Sequence, residues 1–585
     1  MAAPAGTPSP PTDRDLASMH EARTLARAAR RAQEHLAELS QPQIDAIVEA
    51  MADAVTPHAE ALARLAVEET GYGVVADKVQ KNLFASVRVR EFIRPMKTVG
   101  VVARHDDTRV VEIAEPFGVV AAVVPSTNPT STAIYKALIA VKARCAIVVS
   151  PHPSAARCIT RTMEILAEAA TRAGAPESTL GWMRTVTLEG TQELMRQREV
   201  AVILATGGMG LVRAAYSAGK PAYGVGPGNA PCYIERTADV RKAVSDIVIG
   251  KTFDNGVLCS SPNSVVVDES IAEEVRREFT AQGGAFLDAA ACAKLAAALV
   301  TAQRLPNPAL VGKSAAHIAR EVGLTVPDGT RVLIAPLTGV GRDFPLSIEK
   351  LCPVLSFYVV KDWHEGCERC KQILRYGGMG HTMSIHSNTE AIILEFGLKK
   401  PAFRICVNTP TTHGSIGLTT GLAPAMTLGC GGWGGNSTSD NITPMHLLNI
   451  KRLAYELRPA AAAPATRPAA QPAAQSAVAG AAHLTASPPR PRERGVQAAA
   501  LSSRIDDFLA SRGFQGAAAP ASPPPAASAA VPVSFVCEDD VRTALKAGRS
   551  IHIHKRTIVT PAARELGDAH RVLVDTDGPS GTRAS

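Results

Sequence analysis

Short apolar runs that lead through a turn into a helix-like stretch constrain the fold of this chain most. Residues 119–124 form one such run, followed by a turn at 125–130 and a helical pattern at 131–142. Residues 200–205 form a second run, which leads through a glycine-containing turn at 206–210 into another helical pattern. Buried strands that alternate with helices are typical of α/β layering. The sequence therefore predicts an α/β fold.

Gly207 and Gly208 in the second turn suit a phosphate-binding site. Glycines at a strand-to-helix turn let the backbone approach a pyrophosphate at the helix N-terminus. The spacing is not G-x-G-x-x-G, and no acidic residue follows at the distance typical of a dinucleotide fingerprint. A dinucleotide site and an ordinary turn both remain open from this pattern, and a further glycine cluster follows at 224–229.

Cys259 is the candidate nucleophile. It follows a polar, glycine-bearing turn at 253–256 and precedes an apolar run at 264–267. A thiol attacks as its thiolate, which needs a partly accessible, amide-lined environment, and a turn before a strand can provide one. The alternative is a small buried residue, which is the commoner fate of cysteine.

Asn128 is the candidate oxyanion donor. It lies at the exit of the first predicted strand, just before the helical pattern. An asparagine amide in such a position can donate a hydrogen bond to a developing oxyanion. The alternative is an asparagine that only caps the following helix.

Taken together, these segments resemble the CoA-acylating aldehyde dehydrogenases of the aldehyde dehydrogenase superfamily. The resemblance covers about residues 14–458, and the matching segments are 125–131, 150–153, 252–259, 377–382 and 438–441. It implies an aldehyde dehydrogenase-like α/β fold, with a Rossmann-type nucleotide-binding domain and an α/β catalytic domain.

The resemblance also implies roles for individual residues. It makes Cys259 the nucleophile, Asn128 and the Cys259 backbone amide the oxyanion donors, and Glu349 a carboxylate near the nicotinamide ribose. Spacing alone favours a solvated charge at a helix end for Glu349. His381 is a candidate acceptor for the proton of the CoA thiol, although a structural histidine is the favoured alternative.

The expected cofactor is NAD, with coenzyme A as co-substrate. The segment 150–153 lacks the Lys and Glu that many relatives place along the adenosine ribose, so NADP stays open beside NAD. The expected cofactor-binding positions are Ser150, His152, Thr206, Gly207, Gly208, Gly226 and Glu349.

Position 225 decides which reaction the resemblance implies. Hydrolytic relatives carry a glutamate base where Val225 stands in this chain. Water, with a pKa near 15.7, is a very poor nucleophile without that base, whereas a thiol with a pKa of about 8.5 is partly ionised near neutrality. We therefore expect reversible conversion of a short-chain aldehyde, through a Cys259 thiohemiacetal and acyl-cysteine, into acyl-CoA. A hydrolytic dehydrogenase that forms a carboxylate, or a shell-associated scaffold with a vestigial enzyme domain, is the alternative.

Composition and charge favour a large cytoplasmic enzyme. The net charge of +8 is small for 585 residues, and the arginines at 23–31 fit a solvated helix face, so we expect no nucleic-acid partner. We expect no membrane partner, because the chain has neither a secretory segment nor an apolar run of about 18 residues. Its 11 scattered cysteines favour a reducing compartment. Cys367 and Cys370 lack the further ligands of a zinc site, so we expect no metal.

The tail beyond the resemblance carries a targeting signal. Residues 459–500 are rich in Ala, Pro and Gln, which predicts a disordered linker. Residues 501–514 place large apolar side chains on one face of a short helix. This pattern resembles the encapsulation peptides of bacterial microcompartment cargo, so a shell protein is the expected partner of 501–514. The alternative is a helix that folds back on its own catalytic domain.

Residues 531–575 predict a small C-terminal module. A helix is expected over 538–547, ending at Gly548, with short strands at 551–553 and 572–574. The segment resembles tails appended to other microcompartment enzymes. His552 and His554 share one face of a strand but lack further ligands, which favours surface residues over a metal site.

The predicted segments follow one another along the whole chain. They are a disordered N-terminus (1–13), a nucleotide-binding domain (14–235) with an oligomerisation segment near 104–118, a catalytic domain (236–435), a return segment (436–458), a disordered linker (459–500), a docking helix (501–514), a linker (515–530), the small module (531–575) and a disordered tail (576–585). The resemblance implies a homo-oligomer located within a bacterial microcompartment.

Overall fold

The computed structural model describes residues 13–458, 535–555 and 557–575. These residues belong to two compact units, the first ending at Ala463 and the second beginning at Pro464. The predicted linkers and the docking helix at 501–514 lie outside the described residues, as do the predicted N-terminal and C-terminal tails apart from Asp13.

Helices form the first part of the larger unit. They are α1 (Asp13–Leu36), α2 (Gln41–Val55), α3 (Ala59–Thr70), α4 (Val75–Leu83) and α5 (Val89–Ile93), with a π-helical turn (Phe84–Arg88) between the last two. In α1 the buried residues Ala22, Ala26 and Ala29 recur at helical spacing, and their small side chains let the helix pack closely on the sheet that follows. Two strands come next, β1 (Gly100–His105) and β2 (Val110–Pro116).

A five-stranded parallel sheet forms the centre of the predicted nucleotide-binding domain. Its strands are β3 (Val119–Val124), β4 (Ile147–Pro151), β5 (Leu180–Trp182), β6 (Val200–Thr206) and β7 (Ala222–Val225), with helices α6 (Pro129–Lys142), α7 (Ala156–Arg172), α8 (Leu188–Arg196) and α9 (Met209–Tyr216) between them. The strand order is β5-β4-β3-β6-β7. From β3 the chain adds β4 and β5 on one side and then β6 and β7 on the other, so the strand order reverses between β3 and β6. Open α/β sheets bind ligands at such a point, at the carboxyl ends of the strands. This arrangement confirms the predicted Rossmann-type α/β fold.

A seven-stranded parallel sheet forms the centre of the predicted catalytic domain. Its strands are β8 (Ala230–Ile234), β9 (Pro262–Asp268), β10 (Gly284–Phe286), β11 (Val332–Pro336), β12 (Val354–Val360), β13 (Gly380–His386) and β14 (Ala402–Val407). The helices of this region are α10 (Val240–Thr252), α11 (Ala272–Ala281), α12 (Ala289–Leu299), α13 (Ala315–Glu321), α14 (Trp363–Tyr376), α15 (Glu390–Leu398) and α16 (Thr411–Ser415). The strand order is β10-β11-β12-β9-β8-β13-β14.

The passage between the two sheets differs from the predicted domain boundary at 235. Strand β7 pairs with β6 in the first sheet, whereas β8 pairs with β9 and β13 in the second. The chain therefore changes sheets between Val225 and Ala230. No helix separates β7 from β8, so the sequence presents two successive strands of different sheets as if they belonged to one domain.

A three-stranded antiparallel sheet brings the end of the larger unit back to its beginning. Strand β15 (Leu448–Ala454) pairs with β2, which pairs in turn with β1. Leu448 lies opposite Pro116, and Ala454 lies opposite Val110. The segment near 104–118 and the return segment thus share one sheet, with β1 and β15 at its edges. Their role in oligomerisation stays a prediction.

The smaller unit consists of two strand-helix-strand halves. The first contains β16 (Phe535–Val536), α17 (Glu538–Ala547) and β17 (Ile551–Ile553), and the second contains β18 (Ile558–Val559), α18 (Pro561–Ala569) and β19 (Leu573–Asp575). Strand β16 pairs in parallel with β18, and β17 with β19. The predicted helix over 538–547 is confirmed, and it ends at Gly548, whose φ of 62° only glycine adopts readily.

Candidate active site

Cys259 lies between α10 and β9, at the amino end of the seven-stranded sheet. The turn that leads to it, Phe253–Gly256, contains Asp254 and Asn255 with positive φ angles of 49° and 52°. Asp and Asn tolerate this left-handed conformation better than most residues. Asn255 anchors the turn by donating from Nδ2 to the Gly312 carbonyl at 2.9 Å. The turn therefore leaves the Cys259 side chain partly buried, between the fully covered core and the surface.

Gly228 connects the Cys259 backbone to Glu349. A Cβ atom at position 228 would lie 1.6 Å from the Cys259 carbonyl oxygen, so only glycine fits there. The Gly228 amide donates to Glu349 Oε1 at 2.8 Å. Burial raises the pKa of Glu349 to about 7, against the opposing effects of the Gly228 hydrogen bond and the nearby Lys251 charge. Glu349 is thus a partly buried carboxylate of the Cys259 region rather than a solvated charge.

The His381 ring contacts the candidate nucleophile. His381 is fully buried at the start of β13, with Nε2 3.1 Å from Cys259 Sγ and Nδ1 2.9 Å from Thr382 Oγ1. Burial, with a smaller effect of the Arg404 charge, lowers the pKa of His381 to about 3. The imidazole is therefore neutral near pH 7 and retains one nitrogen that can accept a proton. The sequence favoured a structural histidine; the structure instead places the ring against the thiol.

The charges around Cys259 have opposite effects on its thiol. Burial raises the pKa of Cys259, Glu349 and Cys430 raise it further, and the Arg404 guanidinium lowers it. A thiol in this setting is mainly protonated and needs a base before it can attack. Arg404 is a buried residue of β14 that donates to the Ser439 carbonyl at 2.9 Å. The sequence analysis missed Arg404, since no motif marks a single arginine in a strand.

Asn128 does not cap the helix that follows it. It occupies the residue before α6, but its side chain makes no capping hydrogen bond. Asn128 Oδ1 accepts a hydrogen bond from Lys81 Nζ at 2.6 Å, and Nδ2 donates one of its two hydrogens to Thr127 Oγ1 at 3.2 Å. With the oxygen engaged by a lysine, the amide nitrogen is the group left to donate to a ligand. Sequence reasoning missed Lys81, because lysines on helices are usually solvated.

The predicted cofactor-binding residues follow the strands of the five-stranded sheet. Val124 of β3 pairs with Pro151 of β4, and Val123 pairs with Ala205 of β6, so the residues after these strands lie along one edge, whereas Glu349 lies beside Gly228. They include His152, which is exposed, and the partly buried Thr206 and Gly207, followed by the exposed Gly208 before α9. Gly226, after β7, is partly buried. These positions share the edge at which such sheets bind dinucleotides.

This edge fits the phosphates of a dinucleotide. The Thr206 hydroxyl is buried and has no hydrogen-bond partner among the described residues. At Gly208 an added Cβ would meet no atom within 4 Å, so the space beside this backbone is open. A free hydroxyl, open backbone and a helix N-terminus together form the kind of site that pyrophosphate groups occupy. Thr206, Gly207 and Gly208 would hold the phosphates, and the bound NAD or NADP would supply a hydride acceptor.

Ser150 is a predicted cofactor-binding residue whose side chain is buried inside the sheet rather than at this edge. It is fully buried, and its hydroxyl lies 2.8 Å from Thr191 Oγ1. Residues of an inner strand alternate between the two faces of the sheet, and Ser150 points into the helical layer. Its side chain therefore links α8 to β4, and its role in cofactor binding stays a prediction.

Val225 is part of an apolar cluster beside the nucleophile. It is 3% exposed and belongs to the same cluster as Leu258, against which Cys259 packs. Position 225 thus carries a buried hydrocarbon side chain, whereas the resemblance implies a glutamate there in hydrolytic relatives. A charged base is absent at this position.

The remaining sequence features do not build a second site. Cys367 and Cys370 are buried free thiols on α14. Within 13–458, 535–555 and 557–575, no three His, Cys, Asp or Glu side chains form a group suited to a metal ion. In the same ranges, none of the helices combines the length and the apolar character that a bilayer span needs.

Comparison with known proteins assigns the chain to a family. The model of the "Aldehyde dehydrogenase family" matches residues 4–286. The crystal structure of an acetylating aldehyde dehydrogenase from Geobacillus thermoglucosidasius is 49% identical, covers 77% of this chain and 100% of that one, and superposes with a TM-score of 0.76. The chain belongs to the aldehyde dehydrogenase family.

The chain is also similar to two proteins with other names. The bifunctional aldehyde-alcohol dehydrogenase AdhE of Escherichia coli (strain K12) is 42% identical over 75% of this chain and 50% of AdhE. The chain thus spans about half the length of AdhE and similar bifunctional relatives. A propionaldehyde dehydrogenase from the Clostridium phytofermentans fucose utilisation bacterial microcompartment is 28% identical over 74% of this chain and 97% of that one, with a TM-score of 0.67.

Proposed function

We propose that this protein oxidises short-chain aldehydes to acyl-CoA with NAD as the hydride acceptor. The observation that carries the proposal is the 3.1 Å contact between Cys259 Sγ and the neutral His381 Nε2. A protonated thiol beside a neutral imidazole is a nucleophile paired with its base. The similarity to an acetylating aldehyde dehydrogenase at 49% identity supports the choice of acyl-CoA as product.

The first half of the reaction forms an acyl-cysteine. His381 Nε2 takes the Cys259 proton as Sγ adds to the aldehyde carbon, and the carbonyl electron pair moves to the oxygen. The Asn128 amide nitrogen and the Cys259 backbone amide donate hydrogen bonds to this oxyanion, where one donor is worth about 2.7–4 kcal/mol. Collapse of the oxyanion expels the hydrogen with its electron pair and leaves a thioester on Sγ. Bound NAD supplies the acceptor for that hydride.

The second half transfers the acyl group to coenzyme A. After His381 has released the Cys259 proton to solvent, the CoA thiol gives its proton to His381 Nε2 and attacks the thioester carbon, and the same donors hold the new oxyanion. The bond to Cys259 Sγ breaks, and the proton returns to that sulfur. One thioester replaces another, so the two directions differ little in free energy and the reaction is reversible.

Val225 supports thiol transfer over hydrolysis. Water must lose a proton with a pKa near 15.7 to become a strong nucleophile, and the buried Val225 side chain cannot accept it. A CoA thiol with a pKa of about 8.5 is already partly ionised near neutrality and has His381 beside the acyl group. The acyl-cysteine should therefore persist until CoA arrives.

A product assay tests the proposed function. Purified full-length protein is given acetaldehyde, propionaldehyde or butyraldehyde with NAD or NADP, each with and without CoA. We expect cofactor reduction that continues only with CoA and yields acyl-CoA. Sustained reduction without CoA, with free acid as product, would make the protein a hydrolytic dehydrogenase, and no reduction with any aldehyde would favour the scaffold alternative.

Val225→Glu sharpens this assay. The substitution restores a carboxylate at the position where hydrolytic relatives carry their base, so the fraction of product released as free acid should rise. Val225→Gln is the matched control, because it introduces a polar group of similar size without a basic carboxylate. Equal acid formation by both variants would show that position 225 does not select the second nucleophile.

We infer that NAD is the preferred cofactor and that NADP is used less well. The proposal rests on the sequence resemblance, since the edge at His152, Thr206 and Gly208 suits the phosphates common to both dinucleotides. The ratio of kcat/KM for NAD and NADP decides it. A ratio below one would reverse the assignment.

We propose that the protein forms a homo-oligomer. Strand β14 is an edge of the seven-stranded sheet, and its exposed Phe403 stacks on the exposed Trp433 with ring centroids 4.8 Å apart. Strand β15 is an edge of the antiparallel sheet and carries the exposed Leu453. Sheet edges with apolar side chains are surfaces that a second chain can cover. Sedimentation should give a mass above that of one chain, and a monomer would refute the proposal.

We propose that residues 501–514 direct the enzyme to a bacterial microcompartment in the cytoplasm. Support comes from the amphipathic pattern of this segment and from the microcompartment origin of the Clostridium phytofermentans relative. Deletion of 501–514 should leave turnover unchanged and abolish co-purification with shell protein. Retained shell binding would show that another segment mediates targeting.

A further inference from the structure

Helix α4 carries two lysines that are buried rather than solvated. Lys78 is 1% exposed and Lys81 is 2% exposed. Both ammonium groups bind the carboxylate of Asp254, which is fully buried. Lysines are rarely buried unless they are paired, because removing an ammonium from water is costly. This cluster therefore needs a reason beyond the packing of a helix.

Asp254 belongs to the turn that leads to Cys259. Its Oδ1 accepts from the Val74 amide at 2.7 Å, at the beginning of α4, and its own amide donates to Asp77 Oδ2 at 2.7 Å. Lys78 Nζ lies 2.9 Å from Asp254 Oδ2, and Lys81 Nζ binds the same oxygen. The left-handed backbone at Asp254 is thus fixed to α4 from both its side chain and its main chain.

The same two lysines also hold the turn that contains Asn128. Lys78 Nζ donates to the Thr127 carbonyl at 3.1 Å, and Lys81 Nζ donates to Asn128 Oδ1 at 2.6 Å. A third residue of α4, Asn82, accepts a hydrogen bond from Thr130 Oγ1 at 2.7 Å. One helix therefore contacts both the turn of the nucleophile and the turn of the oxyanion donor.

We propose that Lys81 is a positioning residue that fixes the orientation of the Asn128 amide relative to Cys259. An asparagine amide can rotate by half a turn, which exchanges its oxygen and nitrogen. In the rotated form the NH2 group would face the Lys81 ammonium, so donor would meet donor. Lys81 thus selects the rotamer whose nitrogen, beside its bond to Thr127 Oγ1, has a second hydrogen to donate, and Asp254 keeps Lys81 in place. The inference rests on the proposed function, because the oxyanion is formed in that reaction.

Lys78 provides a comparison within the same cluster. It is buried to the same degree and shares Asp254 with Lys81, but it contacts a backbone carbonyl that has no rotational freedom. Removal of either lysine leaves one lysine on Asp254. Only the loss of Lys81 releases the Asn128 amide.

Lys81→Met tests the proposal in a double-mutant cycle with Asn128→Ala, using the full-length protein. Met retains the length of the lysine stem without its charge. We expect K81M to lower kcat for acyl-CoA formation by roughly 10–100-fold, less than the 10²–10³-fold expected for loss of one oxyanion donor. In the N128A background, K81M should lower kcat by less than about threefold, since the amide it orients is gone. Lys78→Met should lower kcat by a smaller factor, and by the same factor in both backgrounds.

Alkylation of Cys259 separates orientation of the amide from general damage to the turn. Iodoacetamide reacts with the thiol without forming an oxyanion at a carbonyl, so K81M should retain the wild-type alkylation rate within about twofold. Equal losses in alkylation and kcat, or equal effects of K81M in both backgrounds, would overturn the proposal. Circular dichroism and NAD binding check that K81M is folded. If K81M is not folded, Lys81→Gln takes its place in the cycle. Absence of acyl-CoA formation by the wild type refutes the proposed function, whereas an additive cycle in an active enzyme refutes only the role of Lys81.

Discussion

The two parallel sheets carry sites of opposite construction. After β6, the five-stranded sheet presents open backbone at Gly208 and a Thr206 hydroxyl that has no hydrogen-bond partner among the described residues. The seven-stranded sheet gathers side chains at its amino edge, where Cys259 contacts the fully buried His381. One edge is open and nearly uncharged, whereas the other is enclosed and contains groups whose pKa values burial has shifted.

This difference teaches which changes each edge tolerates. Backbone amides can bind a dinucleotide only where the space beside them is open, so added atoms that fill this space should lower its affinity. Catalysis by buried side chains depends on the protonation state of each group, so the loss of a single group should lower kcat. Substitutions at the two edges should therefore separate binding from turnover.

Cys259→Ala is expected to have the largest effect. Without the sulfur no thiohemiacetal forms, so kcat for acyl-CoA formation should fall by roughly 10⁴-fold or more. The dissociation constant for NAD should change by less than about twofold, because the nucleotide edge belongs to the other sheet. Steady-state assays and calorimetric titration measure the two quantities. A comparable loss in both would mean that the two edges form one inseparable site.

His381→Ala should have the next largest effect. The variant loses the atom that accepts protons from both thiols, so kcat should fall by about 10²–10⁴-fold. Alkylation of Cys259 by iodoacetamide should slow as well, because burial raises the pKa of that thiol and no other base contacts it in the described residues.

His152→Ala is the control for the His381 substitution. His152 is an exposed histidine at the nucleotide edge, so its loss should leave the alkylation rate of Cys259 unchanged. The pH profile gives a second check: with its pKa lowered to about 3 by burial, His381 should stay neutral across the assay range and add no inflection there. A normal alkylation rate in His381→Ala would remove the histidine from its role as a base.

The sequence predicted individual helices more accurately than the boundary between the two predicted domains. The helix expected over 131–142 is observed as Pro129–Lys142, and the one over 538–547 has the predicted bounds. Hydrophobic periodicity and the glycine stop are local signals, so they can be read from one segment. The passage from β7 to β8 was misplaced, because partners from different sheets determine it and no local residue marks it.

Candidate residues of the site could be identified from the sequence where they follow a recognisable turn. Residues that become part of the site through burial could not be identified in this way. Cys259 and Asn128 each follow a recognisable turn, and the structure places both at elements held by α4. Lys81 and Arg404 look like ordinary surface cations in sequence, and only the tertiary packing removes them from water. The contact of His381 with Cys259 could not be predicted for the same reason, since it joins distant parts of the chain.

Gly208→Ala tests the open edge and should have a moderate effect. An added Cβ at 208 would meet no atom of the chain within 4 Å, so folding should be unaffected. It would instead occupy space beside the proposed phosphates, and NAD affinity should fall by roughly tenfold, the equivalent of about 1.4 kcal/mol. Gly397→Ala is the matched control, because it also has open surroundings but lies in α15, outside the five-stranded sheet and its helices. Equal NAD affinity in both variants would place the pyrophosphate elsewhere.

Glu349→Gln tests the enclosed edge through stability and should have the smallest effect. Burial raises the pKa of Glu349 from an ordinary value of 4.5 to about 7, so between these pH values the folded chain holds a proton that the unfolded chain has released. The stability from this group is therefore complete below pH 4.5 and is lost as the pH rises through about 7. Between about pH 5 and about pH 8, the melting temperature of the wild type should fall by about 2–5 °C more than that of E349Q.

Glu60→Gln is the matched control for this pH dependence. Glu60 is an exposed carboxylate on α3 that pairs with Arg64 at the surface, so its replacement should leave the wild-type fall in melting temperature between about pH 5 and about pH 8. If the melting temperature of E349Q fell as much as that of the wild type, the Glu349 carboxylate would be as well solvated as that of Glu60. The hydrogen bond from Gly228 would then offset no cost of burial. The seven-stranded sheet would then carry an ordinary carboxylate beside Cys259, and the contrast between an enclosed catalytic edge and an open nucleotide edge would no longer hold.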